Sequence, residues 1–325
     1  MPTGVLVPEG HDDVPAFAQR AERLGYDSLW MPELWGSDAF IELTRAGAAT
    51  SDLSLGTAIV NAYGRSPATL AQAVATLATD ADAGVRLGIG TSTRKVIEDL
   101  HGQSFENPPR RLHETVELTS RFLAADGRVS YEGKIFDVAD FPGLDTNVPV
   151  YAAALGPANR RATGRTADGW LPHNIPFGRL DDAFETVAET AREAGRDPEN
   201  ITVAPYVPAA VSDDPDEAMR AARGHIAYYV GSGEGYRKAV AQSYPEGADA
   251  VAEAWREGNR GDARAAVSDE MVRDLAVAGT PADAREQFET VAALDVIDEP
   301  LVVVPDGADE DIVAQTVTAL APEHR

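Results

Sequence analysis

Strand-like and helix-like segments alternate along almost the whole of this chain. The first pair is a short apolar run at residues 4–8, followed at residues 12–24 by apolar side chains at helical spacing. The same pairing recurs up to residues 300–304 and 309–320, which gives eight strand-helix units. Such alternation is typical of parallel strands joined by helices, and eight units predict an α/β fold of the (β/α)8 TIM-barrel class. A doubly wound open sheet is the alternative, because periodicity alone does not show whether a sheet closes.

One barrel domain is expected over residues 1–325. Two stretches interrupt the alternation and are interpreted as insertions. Residues 126–147 contain two short alternating segments around Glu132-Gly133, which is a hairpin signal. Residues 213–266 show helical patterns broken near Ser232 and at Pro245, and we interpret them as a helical lid or binding insertion after strand seven. The predicted strands are residues 4–8, 28–31, 53–61, 85–90, 148–155, 169–172, 201–211 and 300–304.

Acidic residues greatly outnumber basic ones, with 53 Asp and Glu against 28 Lys and Arg and a net charge of −25. A surface with this much charge repels itself in dilute buffer and is tolerated where salt screens it. The composition therefore indicates adaptation to high salt, of the haloarchaeal type. An acidic protein from a low-salt cell is the alternative. Nucleic-acid binding is disfavoured because the phosphate backbone would be repelled.

Several classes of chemistry lack the residues that they need. The chain has no cysteine, which excludes disulfides, thiolate metal sites and a cysteine nucleophile. The first strand lacks the closely spaced histidines of metal-dependent barrels, and no nucleophile-elbow serine occurs, so we expect neither a metal site nor hydrolase chemistry. No apolar run could span a membrane, and Met1-Pro2-Thr3 leads directly into a strand, so we expect a cytoplasmic protein with no membrane partner.

The active site of a parallel barrel lies at the carboxyl ends of its strands. This rule selects the residues that follow each predicted strand, among them Glu33, Trp35, His173 and Asp306. His11 and His173 are candidate site histidines by position. The other four histidines are interpreted as helical, inserted or terminal residues without a site role, and they are His101, His113, His225 and His324.

Three groups of segments resemble one known family. The chain is similar to the bacterial-luciferase-like superfamily, and closest to its branch that depends on the deazaflavin coenzyme F420. The segments run in the family's order and the similarity spans nearly the whole chain. The residues that carry it are Leu55-Gly56-Thr57-Ala58-Ile59-Val60-Asn61-Ala62-Tyr63-Gly64-Arg65-Ser66-Pro67, Leu87-Gly88-Ile89-Gly90-Thr91, Ala154-Leu155-Gly156-Pro157-Ala158-Asn159 and Thr166-Ala167-Asp168-Gly169-Trp170.

The resemblance implies F420 as the cofactor, with FMN as the alternative. It implies a non-prolyl cis peptide bond between Ala58 and Ile59 that backs the deazaflavin ring, ring and ribityl contacts after strands three and four, and a phosphate loop after strand five. The phosphate loop also has a physical basis, because a glycine before a helix start leaves backbone N–H groups open to an anion. Arg160, Arg161 and Arg165 would surround an anionic tail or form a solvated helix face. The residues assigned to the cofactor in this way are Ala58, Ile59, Val60, Asn61, Thr91, Ser92, Leu155, Gly156, Pro157, Ala158 and Asn159.

The chain also departs from the family. Several members have an Asp-His pair after strand two, where this chain has Glu33 and Leu34, followed by Trp35. Glu33 thus becomes the best carboxylate candidate for proton handling or substrate orientation. Thr93 replaces the glutamate of the sugar-phosphate-oxidising relatives, so that specific activity does not carry over. We predict Glu33, Trp35 and His173 as the catalytic candidates.

The function that the resemblance implies is an F420-dependent oxidoreductase. It would transfer a hydride between the deazaflavin and a small organic substrate held under the helical insertion. An FMN-dependent monooxygenase of the same superfamily is one alternative, and a non-catalytic flavin- or deazaflavin-binding protein is the other. The resemblance also implies a homodimer packed through the helices beside the early strands.

Overall fold

A parallel sheet forms the centre of the computed structural model, which describes residues 1–322. His324 therefore lies outside the described residues. All eight predicted strands are present, and two of them are divided into shorter pieces. The strands are β1 (Gly4–Leu6), β2 (Ser28–Met31), β3 (Ser54–Thr57), β4 (Val60–Asn61), β5 (Val85–Gly90), β6 (Arg128–Glu132), β7 (Asp137–Pro142), β8 (Val150–Ala152), β9 (Gly169–Trp170), β10 (Thr202–Val203), β11 (Tyr206–Val211), β12 (Val277–Gly279) and β13 (Leu301–Val303).

The parallel sheet is curled, and its pairing order is β10-β9-β8-β5-β3-β2-β1-β13-β11-β12. The strands β10 and β11 are two halves of one extended segment, interrupted at Ala204 and Pro205. The first half pairs with β9, and the second half pairs with β13 beside β1. The pairing therefore returns to the segment from which it started, which is the connectivity that a (β/α)8 barrel requires.

Helices follow the strands and begin at the capping signals that the sequence provides. Ser66, for example, accepts a hydrogen bond from the N–H of Thr69, and Pro67 occupies the first helical position. The helices are α1 (Val14–Arg23), α2 (Ala39–Gly47), α3 (Pro67–Ala78), α4 (Pro108–Ala124), α5 (Pro157–Thr166), α6 (Leu180–Glu193), α7 (Pro215–Ser232), α8 (Glu234–Val240), α9 (Pro245–Arg256), α10 (Arg260–Ala265), α11 (Asp269–Leu275), α12 (Pro281–Ala292) and α13 (Glu310–Ala319). No helix within residues 1–322 has the length and apolar character needed to cross a bilayer.

Two local predictions differ from the structure. The segment after β5 has helical spacing in the sequence that is typical of an α-helix, but it contains a π-helical turn at Val96–Leu100. The strand β12 was not predicted, because its three residues follow α11 directly and are too few to show a period. It pairs with the end of β11, and on its other side the side-chain amide of Gln287 bonds both backbone groups of Ala278, at 3.2 Å to the N–H and 3.1 Å to the carbonyl.

The predicted hairpin is present as the antiparallel pair β6 and β7. Its turn is fixed to α4 by Glu114, whose side chain is fully buried and accepts hydrogen bonds from the N–H groups of Lys134, Ile135 and Phe136. Arg110 donates a further hydrogen bond to the same carboxylate. Burial alone would raise the pKa of Glu114, but these donors together lower it below its ordinary value.

The segment after β11 is helical, as predicted, and its helices α7 to α10 end close to the predicted breaks. The helix α7 packs against β11 and β12. It therefore contributes to the wall around the strands and also reaches their carboxyl ends. The interpretation of the segment as an insertion that covers the site stays a prediction.

A polar group closes the amino ends of the strands. The Trp30 ring fills the barrel interior and its Nε1 donates to Oγ of Ser28 at 2.7 Å. The Ser28 hydroxyl in turn bonds the buried carboxylate of Glu299, which also forms an ion pair with Arg86 at 3.0 Å. Because this end is filled, only the carboxyl ends of the strands remain available to a ligand.

Candidate functional site

Aromatic and imidazole side chains gather where β9 and β11 meet the helices α7 and α8. We call this group, formed by His173, Tyr206, His225, Tyr229 and Tyr236, the aromatic cluster. The ring of His173 lies 4.8 Å from Tyr206, 4.4 Å from Tyr229 and 5.6 Å from Tyr236, measured between ring centroids. The cluster thus joins the end of strand six to the helical segment that follows strand seven.

A hydrogen bond links the two imidazoles of the cluster. Nε2 of His173 lies 3.0 Å from Nε2 of His225, and both side chains are buried, with 6% and 3% of their surface exposed. Burial lowers the pKa of His173 well below its ordinary value, and the neighbouring His225 lowers it further. Burial also lowers the pKa of His225, to about 3. Both rings are therefore neutral at neutral pH.

The phenols of the cluster are neutral as well. Burial raises the pKa of Tyr206 and of Tyr229 well above the ordinary value, and it raises the pKa of Tyr236 to about 12. Within residues 1–322 the hydroxyl groups of these three tyrosines have no hydrogen-bond partner in the protein. They are available to a polar group of a ligand.

The rim of the site carries two carboxylates and two aromatic rings. Partial desolvation raises the pKa of Asp306. Partial desolvation and repulsion from Asp306 both raise the pKa of Glu9. Both side chains still reach solvent. Tyr228 lies near both carboxylates; burial raises its pKa, and a hydrogen bond from Trp35 partly offsets that rise. Trp35 itself is 51% exposed. The predicted residue Trp35 therefore lies at the mouth of the site and not inside it.

The structure places Glu33 in a structural ion pair. Its carboxylate accepts two hydrogen bonds from Arg65 and one, at 3.0 Å, from the N–H of Ala39 at the start of α2. Asp38 binds the same guanidinium. The carboxylate is thus fully engaged, whereas the sequence had indicated proton handling or substrate orientation for it. The local sequence around Glu33 does not reveal its partner, because Arg65 lies 32 residues further along the chain.

The peptide bond between Ala58 and Ile59 is cis, as the resemblance implies. It separates β3 from β4 at the carboxyl end of strand three. Gly90 packs beside it: a Cβ atom at that position would lie 2.9 Å from the Ile59 side chain and 3.3 Å from Ala153. The ends of strands three, four and five therefore form a continuous surface of small and apolar groups.

The remaining residues predicted to contact the cofactor ring differ in their burial, hydrogen bonds and backbone conformation. Val60 is fully buried and has no exposed surface to offer a ligand. Asn61 is buried, and its Oδ1 accepts from the N–H groups of Tyr63 and Gly64 at 3.0 and 2.6 Å. Thr91 and Ser92 are half-buried, and the backbone of Ser92 is left-handed with φ of 55°. Asn61 thus shapes the turn after strand three.

The Nδ2 atom of Asn61 also contacts Nε2 of His101 at 3.0 Å. His101 immediately follows the π-helical turn and was interpreted from the sequence as a helical residue without a site role. The structure places it beside a predicted site residue. His225 likewise contacts the predicted residue His173. Its spacing of four residues from Tyr229 on one helix, which puts both rings on one face, is the signal that could have indicated it.

The predicted phosphate loop ends at an uncapped helix. Gly156 precedes α5, no side chain caps the helix, and a Cβ atom added to Gly156 would meet nothing within 4 Å. The Oδ1 atom of Asn159 is buried and has no partner in the described chain. Within residues 1–322, the N–H groups of this first turn therefore have no side-chain cap beside an open Gly156, and Oδ1 of Asn159 is a buried acceptor without a partner. The loop residues Leu155, Pro157 and Ala158 are partly or fully exposed beside them.

Of the three arginines that follow this loop, one is not available to a ligand. Arg160 is buried and donates through Nη1 to the carbonyl of Ala183 on α6 at 3.0 Å. Arg161 and Arg165 are exposed. The interpretation of Arg160 as a charge beside an anionic tail is therefore wrong, because its guanidinium joins two helices. As for metals, no group of three or more potential metal-binding side chains occurs within residues 1–322.

Comparisons with known proteins agree on one family and one fold. A family model described as luciferase-like monooxygenase matches residues 2–296. A putative coenzyme F420-dependent oxidoreductase of Mycobacterium tuberculosis is 26% identical over 95% of this chain and 94% of its own length. An F420-dependent hydroxymycolic acid dehydrogenase of the same organism is 34% identical over 65% of this chain and 62% of its own length. The coenzyme F420-dependent tetrahydromethanopterin reductase of Methanopyrus kandleri has the same fold, with a TM-score of 0.81 at 24% identity over 100% and 99% of the two chains.

Proposed function

Because the chain belongs to the luciferase-like monooxygenase family, we propose that it is an oxidoreductase that transfers a hydride between coenzyme F420 and a small organic substrate. The relatives that are named as F420-dependent include one that matches almost the whole chain. The observation in this structure that carries the proposal is the uncapped first turn of α5, with Gly156 and the unpartnered Oδ1 of Asn159 beside the ends of the strands.

The residues present fit a deazaflavin nucleotide-like cofactor. The phosphate group suits the uncapped amino end of α5, because free N–H groups and the helix dipole favour an anion there. The ribityl hydroxyls suit Oδ1 of Asn159, a buried acceptor that would otherwise remain unsatisfied. The apolar surface formed by Ile59, Gly90 and Ala153 suits the ring. When bound, the cofactor would supply the carbon that carries the hydride.

The protein would contribute position and exclusion of water. The aromatic cluster lies at the carboxyl ends of the strands under α7 and α8, where it would hold a substrate against the ring surface. Hydride transfer requires close approach of two carbon atoms and a site from which water is excluded. We propose that α7 and α8 serve as the cover, which is the role predicted for the helical segment.

Titration of the cofactor-free protein with F420 and with FMN, side by side in molar KCl, tests this assignment. F420 fluorescence and flavin fluorescence distinguish the two ligands. We expect saturable binding of F420 and weaker binding of FMN. Binding of FMN without binding of F420 would replace the proposal with the flavin monooxygenase alternative. Tight F420 binding with no reduction by any alcohol, sugar phosphate or reduced pterin would favour the non-catalytic alternative.

We also propose a homodimer formed through α2 and α3. A groove of about 400 Å³ runs between these helices, and Ile41 on its edge is 62% exposed. An exposed apolar side chain beside such a groove is suited to burial against a second copy. The groove is lined by Phe40, Ile41, Thr44, Thr69, Gln72, Ala73, Thr76 and Leu77. Light scattering should show a dimer that Ile41→Asp converts to a monomer, and a wild-type monomer would contradict the proposal.

A further inference from the structure

The buried imidazole pair is left without a role by cofactor binding alone. Two histidines with neutral rings share one hydrogen bond in a site where hydride chemistry is proposed, and the Nδ1 atom of His225 is fully covered with no partner. An unsatisfied buried polar atom is costly, so such an arrangement is unfavourable for packing alone. The carboxylate predicted for proton handling, Glu33, is occupied by Arg65.

We propose that His173 and His225 form a proton-accepting pair for an uncharged alcohol that the enzyme oxidises to a carbonyl compound. This rests on the proposed F420-dependent function. As the hydride leaves the carbinol carbon for the cofactor, the O–H bond breaks, its electron pair forms the C=O bond, and the proton passes to Nδ1 of His173. His173 is the catalytic residue, and His225 is a positioning residue that acts through it.

The hydrogen bond between the two rings determines how the pair works. When Nε2–H of His173 donates to Nε2 of His225, Nδ1 of His173 carries a lone pair and can accept a proton. A proton gained at Nδ1 makes the Nε2–H more acidic, and that hydrogen can move to His225. The two rings together hold one extra proton, which then returns to water. Atoms and charge balance, because the alcohol gives up one hydride and one proton.

The charges around the cluster select the substrate class. His225 acts on His173, Asp306 and neighbouring phenols act on Tyr229, and Glu9 and Asp306 act on the adjacent Tyr228. No Arg or Lys is among them in the described chain. A phosphorylated or carboxylated substrate would therefore be repelled, whereas a neutral hydroxyl group can bond the free phenols of Tyr206, Tyr229 and Tyr236.

The chemistry also distinguishes an alcohol from an iminium substrate. A carbon that accepts a hydride while bonded to a positively charged nitrogen needs no proton on that nitrogen. A carbinol oxygen does need a base, and general bases contribute about 10²–10⁴-fold to such steps. The neutral state of both rings, which desolvation imposes, is the state in which they can accept a proton.

The test uses the F420-loaded protein with cyclohexanol as the uncharged probe and glucose 6-phosphate as the anionic one. F420 affinity is measured first by fluorescence, for the wild type and for His173→Asn, His173→Gln, His225→Asn and the control His113→Gln on the outer helix α4. We expect all of them to bind F420 equally. We expect the kcat for cyclohexanol to fall about 100-fold or more in both His173 variants and to stay unchanged in the control.

The pH dependence separates a proton acceptor from a packing residue. For the wild type, kcat/KM should stay constant from pH 8 to below pH 6, since the pKa of His173 lies well below its ordinary value. His225→Asn removes the imidazole that lowers this pKa and should move the acidic limb to higher pH. Imidazole ¹⁵N resonances of the cofactor-free wild type provide a readout independent of turnover and of the variants' folding, and both rings should stay neutral at pH 6.

Each contrary result has a defined meaning. If the wild type does not bind F420, the proposed function fails and the inference fails with it. If F420 binds but His173→Asn keeps its rate and pH profile, or if cyclohexanol is not oxidised, the pair is not the proton acceptor and the cofactor assignment stands. Faster turnover of glucose 6-phosphate than of cyclohexanol would overturn the substrate class, and ordinary titration of His173 near pH 6.5 would overturn the paired geometry.

Discussion

The guanidinium of Arg65 binds the carboxylate of Glu33 through two hydrogen bonds, Nη1 to Oε1 at 2.6 Å and Nη2 to Oε2 at 2.9 Å. The side chains are only 20% and 14% exposed. Bidentate pairs of this kind are stronger than single charged contacts and fix geometry. The carboxylate also bonds the N–H of Ala39, so the pair connects the ends of strands two and three to α2. The carboxylate that the sequence indicated for proton handling is thus held by an arginine and a helix N–H group.

Removal of this guanidinium should destabilise the fold. Arg65→Met leaves Glu33 and Asp38 as close, uncompensated carboxylates, and we expect a loss of about 2–3 kcal/mol in the free energy of unfolding. The measurement is urea unfolding in molar KCl. Arg45→Met is the matched control, because Arg45 is 51% exposed in its pair with Glu42 and should lose less than about 0.5 kcal/mol. A Glu33→Gln variant that keeps its stability but loses turnover would instead indicate a catalytic role.

The hairpin depends on the buried carboxylate of Glu114. Glu114→Ala leaves three N–H groups and Arg110 without an acceptor, and we expect a loss of about 3 kcal/mol or more. Since the pKa of Glu114 is lowered in the folded state, its contribution is present above pH 4.5 and is lost as the pH falls through the folded pKa. Stability measured against pH should show this loss in the wild type, and Glu114→Gln should reduce the slope. Glu132→Gln, at an exposed position of the same hairpin, should leave it unchanged.

Two glycines of the site region should respond differently to alanine. A Cβ atom at Gly88 would lie 2.0 Å from the carbonyl oxygen of Thr57, so Gly88→Ala forces strands apart and should cost about 1–3 kcal/mol or prevent folding. Gly156→Ala has open space and an ordinary φ of −81°, so stability should not change. Its methyl group would fill the surface offered to the cofactor phosphate, and F420 affinity should fall. Gly127→Ala, also in open space but on the hairpin, should change neither quantity, and unchanged F420 affinity in Gly156→Ala would remove the phosphate from this loop.

We propose that the acidic surface adapts the protein to high salt. A net charge of −25 opposes compaction, and added salt screens the repulsion. The Tm should therefore rise as KCl is increased from low to molar concentration, and circular dichroism can follow it. The same titration with sucrose controls for excluded-solute effects. A Tm that is independent of KCl would indicate an acidic protein from a low-salt cell.

Periodicity predicted the order of elements because the strands of the parallel sheet are mostly buried on both faces, whereas the helices are buried on one. It did not predict the breaks at Ala58-Ile59 and at Ala204-Pro205, where backbone geometry and not hydrophobicity changes. For the site, the rule of strand ends found His173 and the α5 loop. It missed His225 and Tyr236, which come from helices far along the chain and reach the site only through tertiary packing.

The role of Glu33 was not predictable for a related reason. A carboxylate at a strand end has the same appearance in sequence whether it handles protons or binds an arginine. The partner, Arg65, was visible only as part of a family segment. Local residue type therefore indicates what a side chain can do, and the contacts of the folded chain determine which of those functions remains available.

The amide of Gln287 has a consequence for how these molecules behave in concentrated solution. High salt screens the repulsion that would otherwise keep such acidic proteins apart, so solubility must also depend on sheet architecture. Within residues 1–322, β12 ends the order of paired strands, and Gln287 bonds both backbone groups of its central residue. An incoming strand would find these groups already occupied, which protects against edge-to-edge aggregation.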